Sequence, residues 1–255
     1  MRYVRFQFDG EKKSGIIENC QDIYEIEGDF FNGYRLTDKH YSLESVTLLP
    51  PTSPSKIVAI GVNYRDHATE MSIPSPEQPL IFLKPPSAVI AHEQTILHPS
   101  MASRVDYEGE LAIVIGKRAK DVSQEDADQY ILGVTICNDV TARDLQAIDN
   151  QWTRAKGFDT FAPLGPWIVN QLDYDNLSIV TRVNGVVKQQ SNTNRMIHKA
   201  ADLIAYVSKI MTLYPGDLII TGTPSGIGEM AEGDVVEVEI EGIGILRNYN
   251  KKLDR

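Results

Sequence analysis

The sequence predicts a mainly β protein of the α+β class, with a mixed, largely antiparallel β domain preceded by a small β-rich one. Three observations carry this. The apolar runs are short and strand-like, as in Ile57-Val58-Ala59-Ile60 and Leu111-Ala112-Ile113-Val114-Ile115. Turn signals recur between them, Asp9-Gly10 and Asn184-Gly185 among them. Only the stretch from Met196 to Leu213 keeps helical spacing over several turns. Many short strands with few helices argue against a doubly wound sheet.

Along the chain, Tyr3, Val4, Phe6 and Phe8 followed by Asp9-Gly10 predict an opening hairpin. Leu49-Pro50-Pro51-Thr52-Ser53-Pro54-Ser55 reads as a stiff linker, because its prolines block both helix and ladder pairing. A boundary there divides a small N-terminal domain, 1–50, from a larger one, 55–255. Ile57 to Ile60 is a buried strand, and Asn63 to Met71 forms one or two helical turns before Pro74. Leu80-Ile81-Phe82-Leu83-Lys84 is a further strand, stopped by Pro85-Pro86. Ser123-Gln124-Glu125-Asp126 has the form of a capping box that starts a short helix. Asn184-Gly185 between valines predicts a second hairpin. In the long helix Ile197, Ala200, Ala201, Ile204, Val207, Ile210 and Met211 share a face, and Pro215-Gly216 ends it. Val235 to Glu241 alternates as a closing strand.

A chain of 255 residues has room for a sizeable core, and 42% hydrophobic with 24% charged residues is ordinary for a globular protein. The net charge of −10 leaves no electrostatic footprint for nucleic acid or an anionic membrane. An anionic substrate would have to be drawn by a local cation. Cys20 and Cys137 are in no metal spacing, which argues against a disulfide scaffold and fits a reducing compartment. No apolar stretch has the length of a signal peptide or a membrane span, so a cytoplasmic location is expected.

The chemistry centres on Asp106-Tyr107-Glu108-Gly109-Glu110 and, further on, Asn138-Asp139. Glu108 and Glu110 lead into an apolar strand, where residues two apart project from one face. Paired carboxylates repel and are costly to bury, and a divalent cation relieves both penalties. Asp139 ends a second apolar run and would add a third oxygen ligand, a donor set suited to Mg²⁺, Mn²⁺ or Ca²⁺. A Glu-x-Glu pair on a solvated strand face is the plainer alternative. His67 and Glu70 are three apart on a helical turn, as a base with its orienting carboxylate or as an exposed pair. Arg143 would hold a substrate carboxylate, or else pair with Asp139 or Asp144; Gln146 follows it by three. Lys156, between aromatic residues and a glycine, is either a desolvated cation facing substrate or a snorkelling surface side chain. Thr221 to Gly228 lacks the Gly-Lys-Ser/Thr of a phosphate loop. It reads as a turn that brings backbone N–H groups and the Thr223 hydroxyl to a ligand.

The joint order of these pieces resembles the fumarylacetoacetate hydrolase family over roughly residues 55 to 248. The matching segments are Asn63-Tyr64-x-x-His67-x-x-Glu70, Phe82-Leu83-Lys84-Pro85, Asp106 to Leu111, Asn138 to Gln146, Ala155 to Asp159 and Thr221 to Gly228. The resemblance implies a mixed β-roll catalytic domain, a small N-terminal domain and a homodimer. It implies Glu108, Glu110 and Asp139 as ligands of Mg²⁺ or Mn²⁺, and His67 with Glu70 as the water-activating pair of the acylpyruvate hydrolase and oxaloacetate decarboxylase branch. Lys156 would contact a substrate oxygen, while Arg143, Gln146 and Thr223 would hold a small anionic 2-oxo acid. The enzyme that names the family carries a further Asp ligand shortly before its histidine; Val58-Ala59-Ile60-Gly61 has no acid, which favours smaller substrates. The expected reaction is metal-dependent C–C cleavage beside a 2-oxo group, through an enolate, by acylpyruvate or fumarylpyruvate hydrolysis or oxaloacetate decarboxylation. The alternative is an isomerase or tautomerase of 2-hydroxy-dienoate or 2-oxo-enoate diacids.

Overall fold

A computed structural model describes residues 1–18 and 21–253, so Cys20 lies outside the described residues, while Cys137 is a buried free thiol. The fold is mainly β, in sheets of twelve, five and three strands. Starting at one edge, the large sheet runs through Gly33–Ser42, Asp22–Asp29, Glu11–Ile17 and Arg2–Phe8. It continues through Ala162–Val169, Ile131–Asn138, Gly109–Ile115, Leu218–Ile220, Ile57–Gly61 and Leu80–Lys84. The N-terminal hairpins thus extend the sheet of the larger unit, joined to it by Arg2↔Val169 and Tyr3↔Ile168. Most neighbours are antiparallel; Leu218–Ile220 on Ile57–Gly61 is parallel, as is Gly244–Lys252 on Thr95–His98.

Both predicted hairpins form, and each turn needs two positive φ angles: 49° and 81° at Asp9-Gly10, 51° and 77° at Asn184-Gly185. The central strand Gly109–Ile115 is buried along its whole length, which is why its apolar run is unbroken. Ala112 and Val114 pack on one face with Ile57, Ala59 and Leu218. Ile113 and Ile115 pack on the other beneath Leu203, Ile204 and Val207 of the helix Ala200–Ile210. Leu111, Val134 and Ile136 meet Ile179, Val238 and Ile240 of the five-stranded sheet.

The helix is shorter than its spacing predicts. Met196 is extended and bridges to Tyr64, and the helix starts only where the Asp202 carboxylate accepts the Lys199 N–H at 3.0 Å. At Ser123 the hydroxyl accepts the Asp126 N–H at 3.2 Å and donates to Asp126 Oδ2 at 2.9 Å, half of a capping box, and only a 3₁₀ turn follows, Ala127–Tyr130. Among the described residues no helix is long and apolar enough to cross a membrane.

The proline-rich segment is strapped down and not a free spacer. Thr52 Oγ1 donates to Gly216 O at 3.0 Å, and the N–H groups of Ser55 and Lys56 reach Asp217 Oδ1 at 2.9 and 3.2 Å. Lys56 also pairs with the fully buried Asp217 carboxylate. Burial acts to raise the Asp217 pKa, but Lys56, Ser55 and the Tyr214 N–H hold it below its ordinary 3.8. A depressed acid contributes stability above its unfolded pKa and loses it as pH falls through the folded one. Asp217→Asn is therefore expected to cost about 2 kcal/mol near neutrality in urea unfolding. The gap should close below pH ~3.8; an equal loss at all pH values would assign the residue a steric role.

Candidate active site

The Glu-x-Glu pair is aimed by what lies behind it. Gly109, between the carboxylates, sits against the five-stranded sheet: a Cβ there would lie 2.3 Å from Thr181 Oγ1 and 3.0 Å from Val238 Cγ1. Its N–H donates to Gln189 Oε1 at 3.0 Å, and the Glu108 N–H donates to Asn138 Oδ1 at 2.9 Å. With Gly109 turned to the sheet, Glu108 and Glu110 face the other way. Asp139 joins them from the end of Ile131–Asn138, its N–H donating to Glu108 O at 2.8 Å. The three carboxylates are buried, with ligand oxygens within 4.8 Å of one another. They do not form a solvated strand face. Gly109→Ala is expected to cost about 1–3 kcal/mol through overpacking and to weaken cation binding measured by calorimetry. Unchanged binding would show that the pair does not depend on this close approach.

The carboxylates are unequally compensated. Lys156, 2% exposed and therefore no surface side chain, bridges Glu108 Oε2 at 2.8 Å and Asp139 Oδ2 at 2.5 Å. Lys84, 1% exposed, reaches Asp139 Oδ1 at 2.5 Å and Val140 O at 3.1 Å. Arg143 pairs with Glu108, with Asp106 Oδ2 at 2.9 Å and with Gln146 Oε1 at 2.6 Å. Its acidic partners are thus neither Asp139 nor Asp144. Glu110 accepts only the Gly222 N–H, at 2.7 Å, among the described residues. Burial raises the Glu108 pKa, yet Lys156 and Arg143 outweigh it and hold that acid below the carboxylate range. Burial, then Asp139 and Glu108, push Glu110 well above it. For Lys156 the pull of Asp139 and Glu108 exceeds the effect of burial and raises its pKa; for Lys84 burial wins and lowers it.

His67 and Glu70 lie on the short helix Arg65–Glu70, with Nδ1 and Glu70 Oε2 2.9 Å apart. His67 is 5% exposed, and Nε2 has no hydrogen-bond partner among the described residues. The Gly226 N–H donates to Glu70 Oε1 at 2.9 Å. The glycine-rich turn thus spends the N–H groups of Gly222 and Gly226 on Glu110 and Glu70 instead of offering them to a ligand. The Thr223 hydroxyl is likewise engaged, donating to Gly109 O at 2.9 Å and accepting from Gln189 at 2.7 Å.

One cavity of about 230 Å³ gathers His67, Glu108, Glu110, Asp139, Arg143, Gln146, Lys156 and Thr223, with Glu70 behind His67. Sequence reasoning assigned no role to Lys84, Asp106 or Gln189. For Lys84 the available signal was a charge closing an apolar strand. For Asp106 it was the same two-residue step that links Glu108 and Glu110. Gln189 left no local mark.

Strands that deliver clustered carboxylates, and short helices that bring Lys156 and the histidine–glutamate pair, define a mainly β fold with an acidic candidate active site. The chain belongs to the fumarylacetoacetate hydrolase family: residues 56–249 match the family described as Fumarylacetoacetate (FAA) hydrolase C-terminal, and 1–51 match Rv2993c-like, N-terminal. Oxaloacetate tautomerase FAHD2A from Bos taurus is 46% identical over 217 residues, 80% of this chain and 69% of that one. The crystal structure of 5-carboxymethyl-2-hydroxymuconate delta-isomerase from Mycobacterium smegmatis superposes with a TM-score of 0.94 at 44% identity, covering 99% of this chain and 100% of that one. Maleylpyruvate hydrolase from Sphingobium sp. SYK-6, solved with manganese(II) and pyruvate, gives 0.84 at 28% identity, with both chains fully covered.

The residues present fit a divalent cation. The donors are all carboxylate oxygens, as hard cations require. Glu110, buried with no ion-pair partner among the described residues, is the carboxylate such an ion would compensate.

Proposed function

We propose that this protein moves a proton at C3 of a small, enolisable 2-oxo acid, interconverting keto and enol forms or shifting a double bond conjugated with the 2-oxo group. The observation that carries this reading is His67, oriented by Glu70, on the same cavity as the buried carboxylates and Lys156. Mg²⁺ or Mn²⁺ held by Glu108, Glu110 and Asp139 would polarise the 2-oxo carbonyl and acidify the C3–H bond. Glu70 accepts from Nδ1–H, leaving His67 Nε2 to take the C3 proton and return it. The Lys156 ammonium would stabilise negative charge developing on the substrate oxygen. Arg143 has five N–H donors and spends only part of them on Asp106, Glu108 and Gln146, so donors remain for the substrate carboxylate. Gln146 keeps its amide N–H groups, while Thr223 serves as wall. Support for proton transfer comes from the named tautomerase and delta-isomerase relatives, whose reactions are proton shifts.

A second reading is C–C cleavage, by acylpyruvate-type hydrolysis or oxaloacetate decarboxylation. It is favoured by the likeness to maleylpyruvate hydrolase and by the ability of a histidine–carboxylate pair to activate water. Oxaloacetate and a panel of acylpyruvates, with added Mn²⁺ or EDTA, separate the two. Cation-dependent loss of enol absorbance without pyruvate supports proton transfer, and cation-dependent pyruvate release supports cleavage. Neither signal from any substrate would sink both. A homodimer in the cytoplasm belongs to the same proposal, its subunit count readable by light scattering.

A further inference from the structure

Beside its charged groups the cavity is lined by an apolar wall of Ile60, Val62, Met71, Ile73, Phe82 and Trp152, with the Phe82 ring 5.2 Å from Lys156 Nζ. The segment from Ser72 to Gln78, the natural place in sequence to look for control of substrate length, contributes only Ile73 to it.

Val62 differs from the rest of that wall in its backbone. Its φ of 56° lies in the left-handed region, where a β-branched residue is a true outlier. The next residue holds it there. Asn63 is fully buried; its Nδ2 donates to His198 O at 3.0 Å and Thr221 O at 2.8 Å. Its Oδ1 accepts the His198 N–H at 2.8 Å, and its carbonyl accepts the Ile197 N–H at 2.8 Å. These bonds tie the turn between Ile57–Gly61 and the His67 helix to two other segments, the over-determination that lets a strained residue persist. Glycine would adopt the same angles freely, so a valine here is a cost that calls for a role of its side chain. Gly61 cannot take that role, since a Cβ on it would meet Trp152 at 2.8 Å.

We propose that Val62 sets substrate size: it closes the apolar wall against which the substituent beyond C3 of the 2-oxo acid rests. This rests on the 2-oxo acid reading above. Both parts are tested in the full chain with Val62→Ala and Val62→Gly. Alanine keeps the strained backbone and loses most of the Val62 part of the wall, whereas glycine loses both. The glycine variant is expected to melt about 2 °C or more above the alanine variant, the reverse of the order at ordinary positions. Binding of straight-chain 2-oxo acids, from pyruvate to 2-oxooctanoate, is then measured by calorimetry on Mn²⁺-loaded protein. In both variants the affinity ratio of long to short acids should rise about ten-fold over the wild type, the scale of discrimination by an apolar pocket. Alanine melting above glycine would overturn the strain. An unchanged length profile would overturn the size role while leaving 2-oxo acid binding standing. No binding of any 2-oxo acid to the wild type would overturn the functional reading, and this one with it.

Discussion

His67→Ala is expected to lower turnover of the best 2-oxo acid by about 10²–10⁴-fold, the usual contribution of a positioned general base. Cation binding should be retained. His67 is separate from the carboxylate triad, and its Nδ1 bond runs to Glu70 and not to Glu108, Glu110 or Asp139. Mn²⁺ titration by calorimetry should therefore match the wild type while both enol loss and pyruvate release collapse. Glu70→Gln should fall less far, because the imidazole remains and only its tautomer and orientation are loosened. Equal loss of activity and of cation affinity in His67→Ala would show that the residue supports the acidic cluster and does not act on substrate.

Glu110→Gln is expected to act in opposite directions with and without the cation. Wild-type protein at a cation concentration of 100 times Kd should gain about 2.7 kcal/mol, by mass action on the folded state alone. The variant, short of one ligand, should gain little and turn over nothing. In EDTA the order reverses. Among the described residues Glu110 is buried with a single backbone N–H and no ion-pair partner, and burial raises its pKa, so an amide in its place removes a carboxyl whose ionised form the site disfavours. The EDTA-treated variant should melt above EDTA-treated wild type. A lower melting temperature would mean that the Glu110 carboxylate is already compensated within the protein, and the case for a cation would weaken.

The two effects differ because Glu108 and Asp139 share Lys156, with Lys84 on Asp139 as well, and neither lysine pairs with Glu110. That inequality was invisible in sequence. Spacing tells which residues share a strand face, so the grouping of Glu108 with Glu110 was legible from two positions. It cannot tell which ammonium crosses from another element. Lys84 stands 55 residues from Asp139 and Lys156 stands 48 from Glu108. The helix over Ala200–Ile210 was legible in its middle and misjudged at its start, because the Met196 bridge to Tyr64 is a tertiary contact.

The sequence by itself determined the mainly β class, both tight hairpins, the shared strand face of Glu108 and Glu110 and the histidine–glutamate spacing, all features written in local period and turn chemistry. Only the tertiary structure decided that Gly109 presses on Thr181 and so turns both glutamates inward. It alone showed Arg143 paired to Asp106 and Glu108, the proline-rich segment strapped to Asp217, and Val62 held left-handed on the cavity wall. The reason is physical. Local patterns follow from bonds between near neighbours, whereas burial of a charge and the shape of a cavity depend on every element that packs around them.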